Sequence, residues 1–402
     1  MTRFQRERTE GEEQRATTLE LFYDLAFVFA ITQVSHLLLD NLTWTGVGQA
    51  ALVLLVVWWA WNYTTWVTNE LDPDSTAVRV VVLGIMLASL VMAVAIPEAF
   101  GAHGLLFAGS YVAIQIGRHT FLTFVSAYPG TIERERAGRI LAWFVPAGAL
   151  WIAGGLADGS ERSVLWVAAL AIDYLAPLVL YWIPGRAPLS SDTWSVETSH
   201  FAERFQLFVI IALGETIVIT GTTTSELDLD VGVVAAFVLA FLGTAALWWL
   251  YFSYVATIAQ RRLALSEDST RLARDAYTYL HAGIIGGIVL SAVGDELVIA
   301  HPTEELPGAE LAVVVSGPAL YLFAHVAVRL RMTGTISGKL LAGALACLAV
   351  GGVGLVAPAL VVGALLVGVL VAVIVVERVA DARRRTRGEP SPLERLETSA
   401  RS

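Results

Sequence analysis

Apolar residues run along most of this chain in stretches too long and too unbroken for the one-sided stripe of a soluble helix. Crossing a bilayer takes about 20 residues at a 1.5 Å rise. On that measure the pattern predicts spans at 18–39, 47–68, 77–97, 103–127, 139–157, 163–183, 200–221, 231–258, 275–300, 309–331, 339–356 and 359–376. The last two are divided only by Ala357 and Pro358, with Pro358 placed to start a new helix. The expected fold is therefore an all-α integral membrane protein of about twelve transmembrane helices. Its segments are a cytoplasmic N-terminal stretch 1–17, a six-helix repeat 18–183, a cytoplasmic linker 184–199, a second six-helix repeat 200–376 and a basic cytoplasmic tail 377–402.

The repeat is read from matches in register. Glu20 and Phe22 correspond to Glu203 and Phe205, Trp58 and Trp59 to Trp248 and Trp249, and Gly138, Arg139, Leu141 and Gly154 to Gly338, Lys339, Leu341 and Gly354. Six spans per half return the chain to the side it entered from, so the repeats are expected to be parallel. Orientation follows from the basic residues. With the N-terminus inside, 23 of the 26 Lys and Arg fall in cytoplasmic segments, Arg8, Arg395 and Arg401 among them. Arg162 alone falls outside, and Arg118 and Arg204 lie within spans. This bias places both termini in the cytoplasm of a bacterial inner membrane protein. The charged first 17 residues lead into the first span without a cleavage-like site, so no cleaved signal peptide is expected.

Composition agrees with the pattern. Of 402 residues 56% are hydrophobic and only 15% charged, with a net charge of −10 and a mean hydropathy of +0.66. The acidic balance, with no basic patch interleaved with aromatics, excludes nucleic acid as a partner. A lone cysteine, Cys347, forms no internal disulfide and reads as a small core residue. No P-loop, HExxH, CxxC or GxSxG motif occurs. No cofactor or metal is therefore expected, and an enzymatic role is disfavoured. The expected partners are membrane lipid and a small solute or ion, with a homodimer left open.

Polar residues inside the spans carry the candidate chemistry, because a buried charge needs a partner, a proton or a wet cavity. Glu20 and Asp24 lie four apart on one face of the first span, with Gln33 and His36 further along it. Glu20 also suits a helix N-terminus, whereas Asp24 calls for a polar pathway or a buried pair. Asn62 follows the tryptophan pair of the second span, and Arg118 with His119 sits in the fourth. The seventh span opens on His200, Glu203 and Arg204 and carries Glu215 about 18 Å deeper. Tyr277 and His281 occupy the ninth.

Three segments, LELFYDLAFVFAITQVSH from Leu19, HFAERFQLFVIIALGETI from His200 and DAYTYLHAGIIGGIVL from Asp275, resemble the bacterial low temperature requirement protein A family. That resemblance implies an integral membrane protein linked to growth in the cold, and carries over most of the residues just named without assigning their chemistry. The run Phe22, Tyr23, Asp24 is also similar to the first-helix pattern of the lysosomal potassium channel family, although Gln206 and Leu207 stand where its second repeat would place Ser and Asp. The expected function is a secondary transporter of a small solute or ion, free of nucleotide chemistry and coupled to protons through Asp24, Glu215 and Glu203. The alternatives are an ion channel and an intramembrane sensory or lipid-handling protein.

Overall fold

A computed structural model describes residues 3, 4, 6, 14–390 and 394. Parts of the terminal segments 1–17 and 377–402, including Arg8, Arg395 and Arg401, lie outside the described residues. The described chain is mostly helical, and Glu305 and Pro358 form an isolated bridge. It divides into two compact units, Met1–Asn41 with Thr45–Arg204, and Leu42–Trp44 with Phe205–Ser402.

The first unit contains α1 (Thr18–Leu39), α2 (Trp44–Thr68, from Thr45 on), α3 (Thr76–Ala95), α4 (Gly104–Phe121), α5 (Ile132–Leu156), α6 (Gly159–Leu175) and the opening turns of α7 (Thr198–Ser225). Here α4 packs between α3 and α5, α5 against α6, and α1 against α3. A reciprocal capping box starts α1: the Thr17 hydroxyl accepts from the Glu20 amide, and the Glu20 carboxylate accepts from the Thr17 amide. After Phe121 the helix widens into a π-type segment, Leu122–Ser126.

The second unit contains the rest of α7, then α8 (Val231–Leu250), α9 (Ala256–Ala264), α10 (Ser269–Leu272), α11 (His281–Ala300), α12 (Gly308–Thr333), α13 (Gly338–Gly354) and α14 (Ala359–Thr386). Its α11 packs on α12 and α8, α12 on α13, and α14 on α13 and α8. Two further π-type segments, Tyr251–Val255 and Ala273–Leu280, interrupt the regular helix.

The apolar surface is turned outward. On α3, Val80, Leu83, Leu87, Leu90 and Val94 form an exposed stripe at helical spacing, while Val78, Val82, Ile85 and Met92 face the interior. A stripe of that length is unstable in water and natural in hydrocarbon. Among the described residues nine helical stretches are long and apolar enough to cross a membrane: Thr18–Leu39, Trp44–Thr68, Thr76–Ala95, Ile132–Leu156, Thr198–Ser225, Val231–Ala264, Ser269–Ala300, Gly308–Thr333 and Ala359–Thr386.

The three other expected spans fall on α4, α6 and α13, which do not reach that standard. α4 carries Gln115, Arg118 and His119 near its end; α6 and α13 have 17 residues each. The sixth stops at Leu175 instead of continuing to 183. Pro177 has no amide to extend the helix, and Leu180 and Tyr181 take positive φ of 50° and 53° in the turn that follows. Of the residues matched between halves, Gly154 and Gly354 behave alike: a Cβ on Gly154 would lie 2.4 Å from Trp166, and one on Gly354 2.4 Å from Leu311. The tryptophans do not. Trp58 and Trp59 are buried, whereas Trp248 and Trp249 are 47% and 40% exposed.

Candidate functional site

Both acids of α1 are sealed inside the first unit and meet the opening turns of α7. Asp24 takes a two-pronged bond from Arg204, Nη1 to Oδ2 at 2.6 Å and Nη2 to Oδ1 at 2.8 Å, and a third from the Trp61 indole at 2.8 Å. The guanidinium also lies over the Trp61 ring, 5.7 Å from its centroid. Both carboxylate oxygens of Asp24 are thus engaged, in the fork geometry that suits arginine.

One turn earlier, Glu20 accepts from the Thr17 amide and hydroxyl at 2.9 Å each and lies 3.0 Å from His200 Nε2. The tautomer of His200 follows from its other nitrogen. The Asn69 Oδ1 accepts from the Glu197 amide at 2.8 Å, so its Nδ2 is the atom donating to His200 Nδ1 at 2.9 Å. Nδ1 is therefore the acceptor, and Nε2–H donates to Glu20. Glu203 sits apart, half-buried, accepting from the Ala16 amide at 2.8 Å.

Arg118 does not join these acids. It is fully buried and forms no ion pair among the described residues. Its Nη1 donates to the Thr64 hydroxyl at 2.8 Å and the Ala60 carbonyl at 3.3 Å, its Nη2 donates to Gln115 Oε1, and the Tyr63 ring lies 5.3 Å away. From there the bonds run on in one direction: Gln115 Nε2 donates to the Tyr111 hydroxyl at 3.0 Å, and that hydroxyl donates to Asp173 Oδ2 at 2.9 Å. The Trp151 indole donates to the same oxygen at 3.0 Å.

Asp173 is 2% exposed and, like Arg118, forms no ion pair among the described residues. Its Oδ1 and the Arg118 Nε have no hydrogen-bond partner there. A buried guanidinium and a buried carboxyl are therefore held apart by two neutral side chains. Arg118 and Tyr111, seven residues apart on α4, set the length of this chain at about 10 Å along the axis.

The other candidates lie elsewhere. Gln33 is half-buried and His36 exposed toward the end of α1, and Asn62 is buried in α2. In the second unit Glu215 is buried on α7 beside Thr216, whose hydroxyl pairs with that of Thr244 at 2.8 Å. The two π-type segments bring Tyr251 and Tyr277 to His281: Tyr251 lies 3.1 Å from Nε2, and the Tyr277 ring stacks at 4.7 Å. His281 Nδ1 donates to the Ala276 carbonyl at 2.8 Å, which fixes Nε2 as the acceptor.

Sequence reasoning missed Asp173, Gln115, Tyr111 and Asn69 as members of these networks. Asp173 had a signal, since it is an acid in the apolar run VLWVAALAIDYL and meets the criterion that singled out Asp24. No group of three or more His, Cys, Asp or Glu placed to hold a metal occurs among the described residues.

Comparison with known proteins agrees with the motifs. The chain is 38% identical over 315 residues to Uncharacterized protein RA0937 of Rhizobium meliloti (strain 1021), covering 77% of this chain and 76% of that one. No solved structure matches it. Residues 15–375 match the family model described as Bacterial low temperature requirement A protein (LtrA), so the α1 acids, their α7 partners and the Arg118 chain all belong to a multi-pass membrane protein of the LtrA family.

Proposed function

We propose that this protein is a secondary transporter of a small solute or ion, coupled to protons, working through the interior of the first unit. The observation that carries this reading is the Arg118 to Asp173 chain. Ionisable groups inside membrane helices are costly and are kept where they serve a pathway. Here each pole keeps one polar atom with no hydrogen-bond partner among the described residues, and the link between them consists of side chains whose hydrogen bonds can reorganise. A proton on Asp173 cancels the charge opposite Arg118 and frees the chain to rearrange around a solute. Asp24, by contrast, has both oxygens held by Arg204 and Trp61, which favours the transporter reading over a channel lined by that acid.

The same reading keeps twelve spans in two parallel repeats, 18–183 and 200–376, with both termini on the cytoplasmic face of the inner membrane. The matched close-packed glycines Gly154 and Gly354 support the repeat, and the distribution of Arg and Lys supports the orientation. In keeping with the family description, loss of the protein is expected to impair growth at low temperature.

Reconstituted vesicles loaded with a pH-sensitive dye test the proposal. Challenged with amino acids, organic acids and inorganic ions in turn, they should show a saturable pH change with at least one solute. Asp173→Asn keeps the volume and an acceptor for Trp151, so it should insert normally and lose that flux at least ~10-fold. Full proton-coupled flux in Asp173→Asn, or no solute-dependent signal from the wild type, would remove the reading.

A further inference from the structure

The second unit contains a half-open groove of about 790 Å³ between α8, α12, α13 and α14. Its position relative to the bilayer follows from α14. That helix has 28 residues, about 42 Å, against a hydrocarbon core of about 30 Å. Its apolar run ends at Val376, and from Glu377 onward it is charged. The groove is lined by Glu377, Arg378, Asp381 and Arg385 of α14, by Arg329 and His325 of α12, and by Trp249 of α8, so it lies where the helix leaves the apolar layer. Val371, Val375, Val376 and Val379 are exposed on the same helix. Arg378 stacks over the Trp249 ring at 4.9 Å, an aromatic and basic pair typical of the headgroup level.

The groove carries uncompensated positive charge. Glu377 is engaged by Lys339 at 3.2 Å and Arg329 at 3.6 Å, and Asp381 by Arg384. Arg378 and Arg385 have no carboxylate within ion-pair distance among the described residues. The deep end makes a different demand. His325 is 1% exposed and donates through Nδ1 to the Tyr321 carbonyl at 2.8 Å, which leaves Nε2 as an acceptor with no hydrogen-bond partner among the described residues. A buried acceptor nitrogen calls for an O–H donor, and the arginines call for an anion. His325 and Arg329 are four residues apart on one face of α12, about 6 Å, so one headgroup reaches both.

We propose that this groove binds the headgroup of an anionic glycerophospholipid, its phosphodiester held by Arg329, Arg378 and Arg385, a headgroup hydroxyl donating to His325, and its acyl chains lying on the exposed valines of α14. Phosphatidylglycerol has this chemistry. Phosphatidylmethanol has the same charge and lacks the hydroxyl, and phosphatidylcholine has no net charge.

Native mass spectrometry of the delipidated full-length protein, titrated with each lipid, reads the affinities. Phosphatidylglycerol should bind saturably and most tightly. Replacing Arg378 and Arg385 together with Gln should weaken it about 25-fold, roughly 5-fold per arginine, while Arg383→Gln, on the same helix outside the groove, leaves it unchanged. His325→Leu should equalise phosphatidylglycerol and phosphatidylmethanol. An equal loss in Arg383→Gln would reduce the effect to general surface charge and overturn the site. Equal binding of the two anionic lipids to the wild type would overturn the role of His325. Soluble glycerol 3-phosphate displacing the lipid at equal affinity would overturn the lipid assignment in favour of a soluble phosphate.

Discussion

Asp24 and Asp173 are carboxylates buried to the same degree in the same unit, and their surroundings give them opposite characters. Asp24 is one half of a forked ion pair, so Asp24→Asn strands the Arg204 guanidinium in an apolar interior. Removing one partner of a buried pair costs about 3–5 kcal/mol, whereas replacing both with apolar residues of similar size is often close to neutral. Thermal unfolding in detergent should therefore show Asp24→Asn strongly destabilised and the double change Asp24→Leu with Arg204→Met recovering most of the loss. A wild-type melting temperature for Asp24→Asn would show that the pair does not hold the unit together. The acid itself was legible in the sequence as a charge one turn beyond Glu20 in an apolar helix. Its partner was only one of two arginines that could serve, because nothing local in the chain distinguishes Arg204 from Arg118. Asp173 was passed over although it meets the same criterion, since its importance depends on what does not approach it.

At the scale of helices, hydropathy placed a helix in each expected span but carried the sixth past its end at Leu175, missed the short α10, and gave no sign of the devices at the helix ends. Arg162, the one basic residue assigned to an outer loop, lies in the first turn of α6 and is 3% exposed. It donates to the carbonyls of Gly154 and Ala157 at the end of α5, and to those of Ala99 and Gly101 before α4. A helix end leaves carbonyls without partners, and one arginine satisfies several of them here. Gly104 makes room for it, since a Cβ there would lie 2.5 Å from the guanidinium carbon. Arg162→Ala should lower stability by at least about 2 kcal/mol through unsatisfied buried carbonyls, and Gly104→Val should do the same by displacing the guanidinium. Unchanged unfolding temperatures in both would refute this role. Neither the arginine's burial nor the three π-type segments follow from periodicity, which registers where apolar residues recur and is blind to a turn widened by one residue.

For the whole molecule, the outward apolar stripe on α3 is a statement about the surrounding solvent, which is why membrane residence was legible in the composition and the long apolar runs of the sequence. The number of crossings was less so, because α4, α6 and α13 are short or polar for spans and depend on their neighbours for cover. A reporter fused after Gly388 should be active in the cytoplasm, and one placed between Asp158 and Gly159 outside it; the reverse result would discard the proposed orientation. Another consequence lies in time. Glu20 and Asp24 meet His200 and Arg204 across 180 residues of chain. At a synthesis rate of 5–20 residues per second, the first helix waits roughly 9–36 s for its counter-charges. Throughout that interval Asp24 faces either lipid or the insertion machinery with its cation still unmade. The nascent first helix must therefore cover Asp24 by a proton or by the polar surroundings of the insertion site until the seventh helix arrives.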